Sequence, residues 1–203
     1  MRAASVLLVI TSVILLSACG GLGHVKLEEL KSNPVETFTF LDQRPEIERS
    51  WKPIANNPSN PFSQVQYINH GDESFVPDRV TVLRHALATK ASKSLDGKNV
   101  ILKGFSVREY PIRSMQASRA AAAGAVSPIL PSILEPEGTS DIVVVNIEIT
   151  VDGVIVKSSA SRDYYFGMVM VNSNESEEFQ KAVRKSIKAA INEVVYKVNE
   201  NSP

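Results

Sequence analysis

The sequence predicts an α+β domain, a two-layer sandwich of about four mainly antiparallel strands carrying two amphipathic helices on one face. Three observations predict it. Short runs rich in β-branched and aromatic residues alternate apolar with polar positions. Two longer segments each hold a single apolar stripe at helical spacing. Asp152-Gly153 joins two of the strand-like runs, and a two-residue hairpin wants such residues because both turn positions take positive φ. Helices with one stripe each need a burial partner, and one face of a sheet supplies it.

Residues 20–34 read as a tether with room for a turn of helix at Val25 to Leu30. Glu36 to Leu41 alternates and predicts the first strand. Asp42 to Phe75 contains Pro45, Pro53, Pro58 and Pro61 with Asn56, Asn57, Asn60 and Gly71, which predict a long irregular loop enclosing a short strand at Gln64 to Ile68. Loops of this length in compact domains are often functional. Pro77 suits the first turn of a helix running to about Leu95, because the N–H it lacks has no partner there. Val80, Leu83, Leu87 and Ala91 form that helix's stripe, flanked by Val82 and Ala86, and Asp96-Gly97 ends it. Asn99 to Tyr110, Ile142 to Val151 and Val154 to Phe166 predict the second, third and fourth strands. Asn174 and Glu177 make a capping pair for a last helix to about Val198. Its stripe is Phe179, Ala182, Val183, Ile187, Ala190, Ile191, Val194, Val195 and Val198. Lys181, Arg184, Lys185 and Lys188 fall mostly on the other side, as expected of a solvated face.

The N-terminus carries the sharpest motif. Arg2 precedes an apolar run from Ala3 to Leu16, about fourteen residues, within the 7–15 of a signal h-region and short of the roughly 20 that a membrane span needs. Leu16-Ser17-Ala18-Cys19-Gly20 follows and resembles the lipobox of bacterial lipoproteins: a branched apolar residue, two small residues and the cysteine that is lipidated. The resemblance implies that residues 1–18 are a removable signal, that 19–34 form a lipid-anchored tether, and that 35–203 form a single periplasmic domain. Cys19 would carry the diacylglycerol and palmitate. Dual acylation anchors stably where one chain is marginal, since each buried CH₂ contributes about 0.8 kcal/mol. Gly20 in place of the inner-membrane retention Asp implies the outer membrane, for a Gram-negative source. Cys19 is the only cysteine, so no intramolecular disulfide is available and the core must hold the fold.

Charge and motif content narrow the function. Lys plus Arg and Asp plus Glu number 22 each, so no basic excess points to nucleic acid. His24, His70 and His85 have no cysteine partner and no metal-ligand spacing, which predicts no metal and no cofactor. No nucleophile elbow surrounds any serine and no Gly-rich phosphate loop follows a strand, so no catalytic residue is assigned. Asp42 and Arg44 read as a turn with a local ion pair, and His85 as a helix-surface or core-edge residue. Met115 to Pro136 is alanine-rich, apolar and broken by prolines. Ile129, Leu130, Ile133 and Leu134 in it are candidate contacts with a partner, or part of a connection folded over its own sheet edge. Tyr165, in Arg162-Asp163-Tyr164-Tyr165-Phe166, faces away from its two aromatic neighbours and is a further candidate contact.

With the lipobox ahead of this element order and Asp42-Gln43-Arg44 leaving the first strand, the chain resembles small envelope lipoproteins of the YajG type. More distantly it is similar to LptE and to auxiliary lipoproteins of ABC-type lipid transporters such as PqiC. The resemblance implies an outer-membrane lipoprotein, facing the periplasm, that serves membrane assembly or transport as a non-enzymatic accessory or binding subunit. Its partners would be the membrane, through the covalent anchor, and an envelope protein. Two alternatives stay open: a lipid- or glycan-binding carrier or sensor, marked by a deep apolar groove, and an envelope enzyme, marked by polar groups converging in a pocket.

Overall fold

The computed structural model describes residues 24–27, 30, 32–55, 65–111, 140–164 and 173–201. It is α+β, with a mostly antiparallel open sheet of six strands. Three long strands form the sheet's body: β6 (Asn99–Tyr110), β7 (Asp141–Val151) and β8 (Val154–Tyr164). β7 pairs antiparallel with both neighbours. Its burial alternates residue by residue, with Val143, Val145, Ile147 and Ile149 inside and Ile142, Val144, Asn146, Glu148 and Thr150 partly exposed. That period of two is what a sheet covered on one face imposes. The β7–β8 turn is Asp152-Gly153, with φ of 46° and 88°, the positive values anticipated for this pair. Asp152 also accepts from the Asn99 N–H at 2.9 Å, fastening the turn to the start of β6.

The edge of β6 away from β7 is shared by two strands and a short helix between them. β2 (Thr39–Asp42) runs parallel to its first residues, in register from Thr39 with Asn99 to Asp42 with Leu102. β4 (Val65–Asn69) pairs antiparallel near its end, Asn69 with Arg108. β3 (Lys52–Ala55) extends the sheet beyond β4. In the gap sits α1, the short helix Glu46–Arg49. Its Glu48 carboxylate accepts from the Phe105 N–H at 2.7 Å, and the His70 N–H donates to the Val107 carbonyl at 2.9 Å. Backbone groups of an interior strand need partners, and here a side chain and a loop supply them where no strand does. Asn69 in turn donates to the Ile47 and Ser50 carbonyls at 2.8 and 2.7 Å, closing the last turn of α1. Gly71 packs so closely on the Arg49 carbonyl that a Cβ has no room.

α2 (Arg79–Lys90) and the one-turn α3 (Ser92–Leu95) follow a parallel pair, β1 (Val25–Lys26) with β5 (Phe75–Val76), and connect β5 to β6. α4 (Ser173–Glu200) closes the chain. All nine residues of its expected stripe are buried, Phe179 through Val198, together with Leu83, Leu87 and Ala91 of the first helical segment. They form one core with the inner faces of β6, β7 and β8.

The sheet has more strands than the four expected, for physical reasons. β3 contains Pro53, which suppresses a strand signal in sequence but is tolerated on an edge, where its missing N–H costs no ladder bond. Val25 and Lys26 are strand and not a turn of helix, and Val25 and Leu27 lie in the core. Two-residue strands leave no periodicity to read. The 42–75 stretch, expected to be largely irregular, holds α1, β3, β4, a 3₁₀ turn (Asp72–Ser74) and β5. Pro77 lies outside α2, because Asp78 is the N-cap and its carboxylate accepts from the Val80 and Thr81 N–H groups at 3.0 and 2.9 Å.

Candidate functional site

Asp42, Arg44, Asp72 and Arg79 form a continuous ion network under the 42–75 stretch. Arg44 donates to Asp42 through Nε (3.0 Å) and Nη2 (2.9 Å), and to Asp72 through Nη1 and Nη2 (both 2.9 Å). Arg79 donates to Asp72 at 3.0 Å, to the His70 carbonyl at 2.9 Å and to the Glu48 carbonyl. Arg79 is fully buried, with Phe75 and Phe105 at 5.4 and 5.3 Å from its guanidinium carbon. Planar forks suit such paired carboxylates. The Asp42–Arg44 pair is therefore the local ion pair expected of it, extended by two residues that lie far away in sequence.

Burial alone would raise the Asp42 and Asp72 carboxyls. The arginine hydrogen bonds and charges outweigh it and hold both below the ordinary carboxylate value. Burial pulls Arg79 down to about 10 against the opposing charge of Asp72, so it stays protonated at neutral pH. Depressed carboxyls stabilise the fold above their unfolded pKa of roughly 3.9, and that contribution is lost as pH falls through the folded values. Urea titrations at successive pH values should show stability falling below about pH 4, with a shallower fall in Asp72→Asn, which has one depressed carboxyl fewer. An identical slope in the variant would mean the network does not carry the acid sensitivity.

A second buried cluster joins β4, β6, β8 and α4. His70 Nε2 lies 2.8 Å from Glu109, whose other oxygen accepts from the Tyr164 hydroxyl at 2.5 Å. Phe179 covers both rings, 5.1 Å from His70 and 5.4 Å from Tyr164. Burial, and then the Glu109 charge, push the Tyr164 phenol up, which keeps it a donor. His70 is 3% exposed, so this cluster is a clamp closed to solvent and not an open acid–base pair.

Two depressions lined by described residues open at the surface. One, about 570 Å³, lies on the sheet side between Glu48, Arg108, Asn146, Glu148 and Lys157. Its charges cancel, and Glu148 and Lys157 pair at 2.8 Å. The other, about 630 Å³, runs between α2, α4 and the segment leading into β2. That size falls in the ~300–1,000 Å³ range of ligand sites. Leu27, Leu30, Val82, Ala86, Ile187 and Ile191 give it an apolar floor. Lys90, Lys181, Arg184, Lys185 and Lys188 stand around it, and no acidic side chain lines it among the described residues. One end is closed where Lys90 donates to Asn192 at 3.0 Å, and the N-terminal wall is held by His85 bonding the Ser32 carbonyl at 2.9 Å. This is an amphiphilic groove of one charge sign, the candidate site.

No protein-family model matches the chain, and no curated protein or solved structure is significantly similar to it.

Cys19 and the lipobox residues Leu16, Ser17, Ala18 and Gly20 lie outside the described residues, as do Ile129, Leu130, Ile133, Leu134 and Tyr165. Among the described residues no cluster of three or more His, Cys, Asp or Glu groups suits a metal ion, and no helix is long and apolar enough to cross a membrane. Sequence reasoning missed the groove because it treated Lys181, Arg184, Lys185 and Lys188 as a solvated face. The available signal was one charge sign beside an apolar stripe at i, i+3, i+4 and i+7.

Proposed function

We propose that the protein is an outer-membrane lipoprotein, anchored through Cys19 and facing the periplasm, that acts without catalysis as an accessory or binding subunit at the bilayer surface. The observation that carries this reading is the docking of β1. Val25 is 3% exposed, it pairs with Phe75, and the Leu27 N–H donates to the Val76 carbonyl at 2.8 Å. Only Gly20 to His24 then separate the lipidated cysteine from the folded body. At about 3.3–3.6 Å per residue the leash spans on the order of 20 Å. Confinement this close to the membrane raises the effective concentration for a membrane-bound partner without new contacts. Ile129, Leu130, Ile133, Leu134 and Tyr165 are the proposed contacts with that partner.

The groove supports the lipid-carrier reading as a second component of the same function, since an apolar floor with a charged rim suits an amphiphile. The enzyme reading has less to support it: among the described residues that line the groove His85 is taken up by Ser32, 3.3 Å from its hydroxyl and 2.9 Å from its carbonyl, and the Asp42 and Asp72 carboxylates are held by arginines.

Cys19→Ala should abolish labelling by a palmitate analogue and leave an uncleaved precursor, because no other thiol can accept diacylglycerol. Labelling that persists in this variant contradicts the anchor.

A further inference from the structure

We propose that the face around the exit of the N-terminal leash rests on the phospholipid surface, with the indole of Trp51 in the bilayer interface and Ile47 and Val76 beside it. The surface that this face meets rests on the anchoring through Cys19 proposed above; the grouping of the side chains does not.

Large apolar side chains scattered singly over a surface are ordinary, and a group of them is not. Ile47, Trp51 and Val76 are 52%, 47% and 51% exposed, and Trp51 is the only tryptophan in the chain. They meet around Glu73. Its carboxylate accepts from the Trp51 N–H, and its carbonyl lies 2.7 Å from Nδ1 of His24, where the leash ends. Val76 belongs to the parallel ribbon of β1 and β5. There Val25 and Phe75 turn into the core, while Lys26 and Val76, opposite each other in register, turn out. Ile47 is tied to the same ground by Asn69, which bonds the Ile47 and Ser50 carbonyls at 2.8 and 2.7 Å. An indole suits a headgroup layer because its ring is apolar and its N–H is not. Exposed Lys26 and Lys52 flank the group, and exposed Glu46 and Glu73 offset them, so the apolar side chains and not charge select the surface.

Location decides the occupant. A leash on the order of 20 Å keeps the residues around His24 close to the bilayer. The other exposed apolar group, Leu41, Val154 and Ile155, has no such tie. Leu41 pairs with Ile101 and Ile155 with Thr150, and Ile101 pairs with that same Thr150, at the hairpin end of the sheet. Asn69 meets β6 near its other end, at Arg108. A second copy of the chain or a protein partner would also cover Trp51, and both are outcomes of the test.

The test reads Trp51 itself, in the intact lipidated protein reconstituted into vesicles of phosphatidylethanolamine and phosphatidylglycerol. Part of the phosphatidylethanolamine carries bromine, either high on its acyl chain or near the chain's end. Bromine high on the chain should quench the emission roughly twofold, and more than bromine near the end, because interfacial side chains sit about 5–10 Å into the headgroup and acyl boundary. In Trp51→Phe/Ile155→Trp the reporter moves to the hairpin end, where neither lipid should quench it appreciably. Ile47→Glu/Val76→Glu should relieve the quenching of Trp51 in protein that still floats with the vesicles, with an unchanged thermal midpoint because both side chains are exposed. Floating protein whose Trp51 is unquenched overturns the proposal, and moves the face to contact with a second copy or a protein partner. Equal quenching at the hairpin end overturns it too, as does quenching of Trp51 that survives the two glutamates. Protein that does not float overturns the anchor, and the placement of this face with it.

Discussion

Arg79→Ala is expected to destabilise the protein by about 3–5 kcal/mol, the usual consequence of removing one partner from a buried ion pair. The side chain has no solvent exposure and donates to Asp72 and to the carbonyls of His70 and Glu48. Truncation takes this donor from the His70 and Glu48 carbonyls, withdraws a charge from Asp72, which keeps only Arg44, and opens a void between Phe75 and Phe105. Arg79→Met fills much of the void but restores no donor, so it should recover only part of the loss. Urea titration of the three proteins separates the two contributions. A loss below about 1 kcal/mol for the alanine variant would mean that α1 and the 3₁₀ turn are held by something else.

Ile187→Ala or Ile191→Ala should cost about 2–5 kcal/mol, while Lys185→Ala should stay within about 0.5. The two isoleucines are 2% and 3% exposed in the shared core, and Lys185 lies on the solvent side of the same turn of α4. The cost at each isoleucine combines lost burial with an unfilled cavity. Equal losses at the apolar and the charged positions, read from denaturant midpoints at constant slope, would place the stripe on the wrong face.

What the sequence disclosed and what it hid follow the range of the interactions involved. Strand β6 occupies Asn99–Tyr110 and the α4 stripe is buried residue for residue, because both are written in a periodicity spanning many residues. The hairpin at Asp152-Gly153 is legible from two residues because their φ values demand those types. The structure within 42–75 was not legible. Its helix has four residues, its edge strand contains a proline, and its stability comes from Arg44 and Arg79 meeting Asp72 across the chain. No local pattern announces such a meeting. The cations of α4 were visible as a cluster, but their significance depends on α2 lying alongside to make a floor between them.

In the proposed arrangement the folded body is held on a short lipidated leash, with β1 docked soon after Cys19. Lipid attachment, signal removal and the starting residue are all recorded in one molecule, the N-terminal peptide of protein isolated from membranes. Tandem mass spectrometry of that peptide should find a chain beginning at Cys19, with a diacylglyceryl thioether on its sulfur and residues 1–18 gone. An unmodified Cys19 thiol, or a chain beginning at any other residue, would contradict the account.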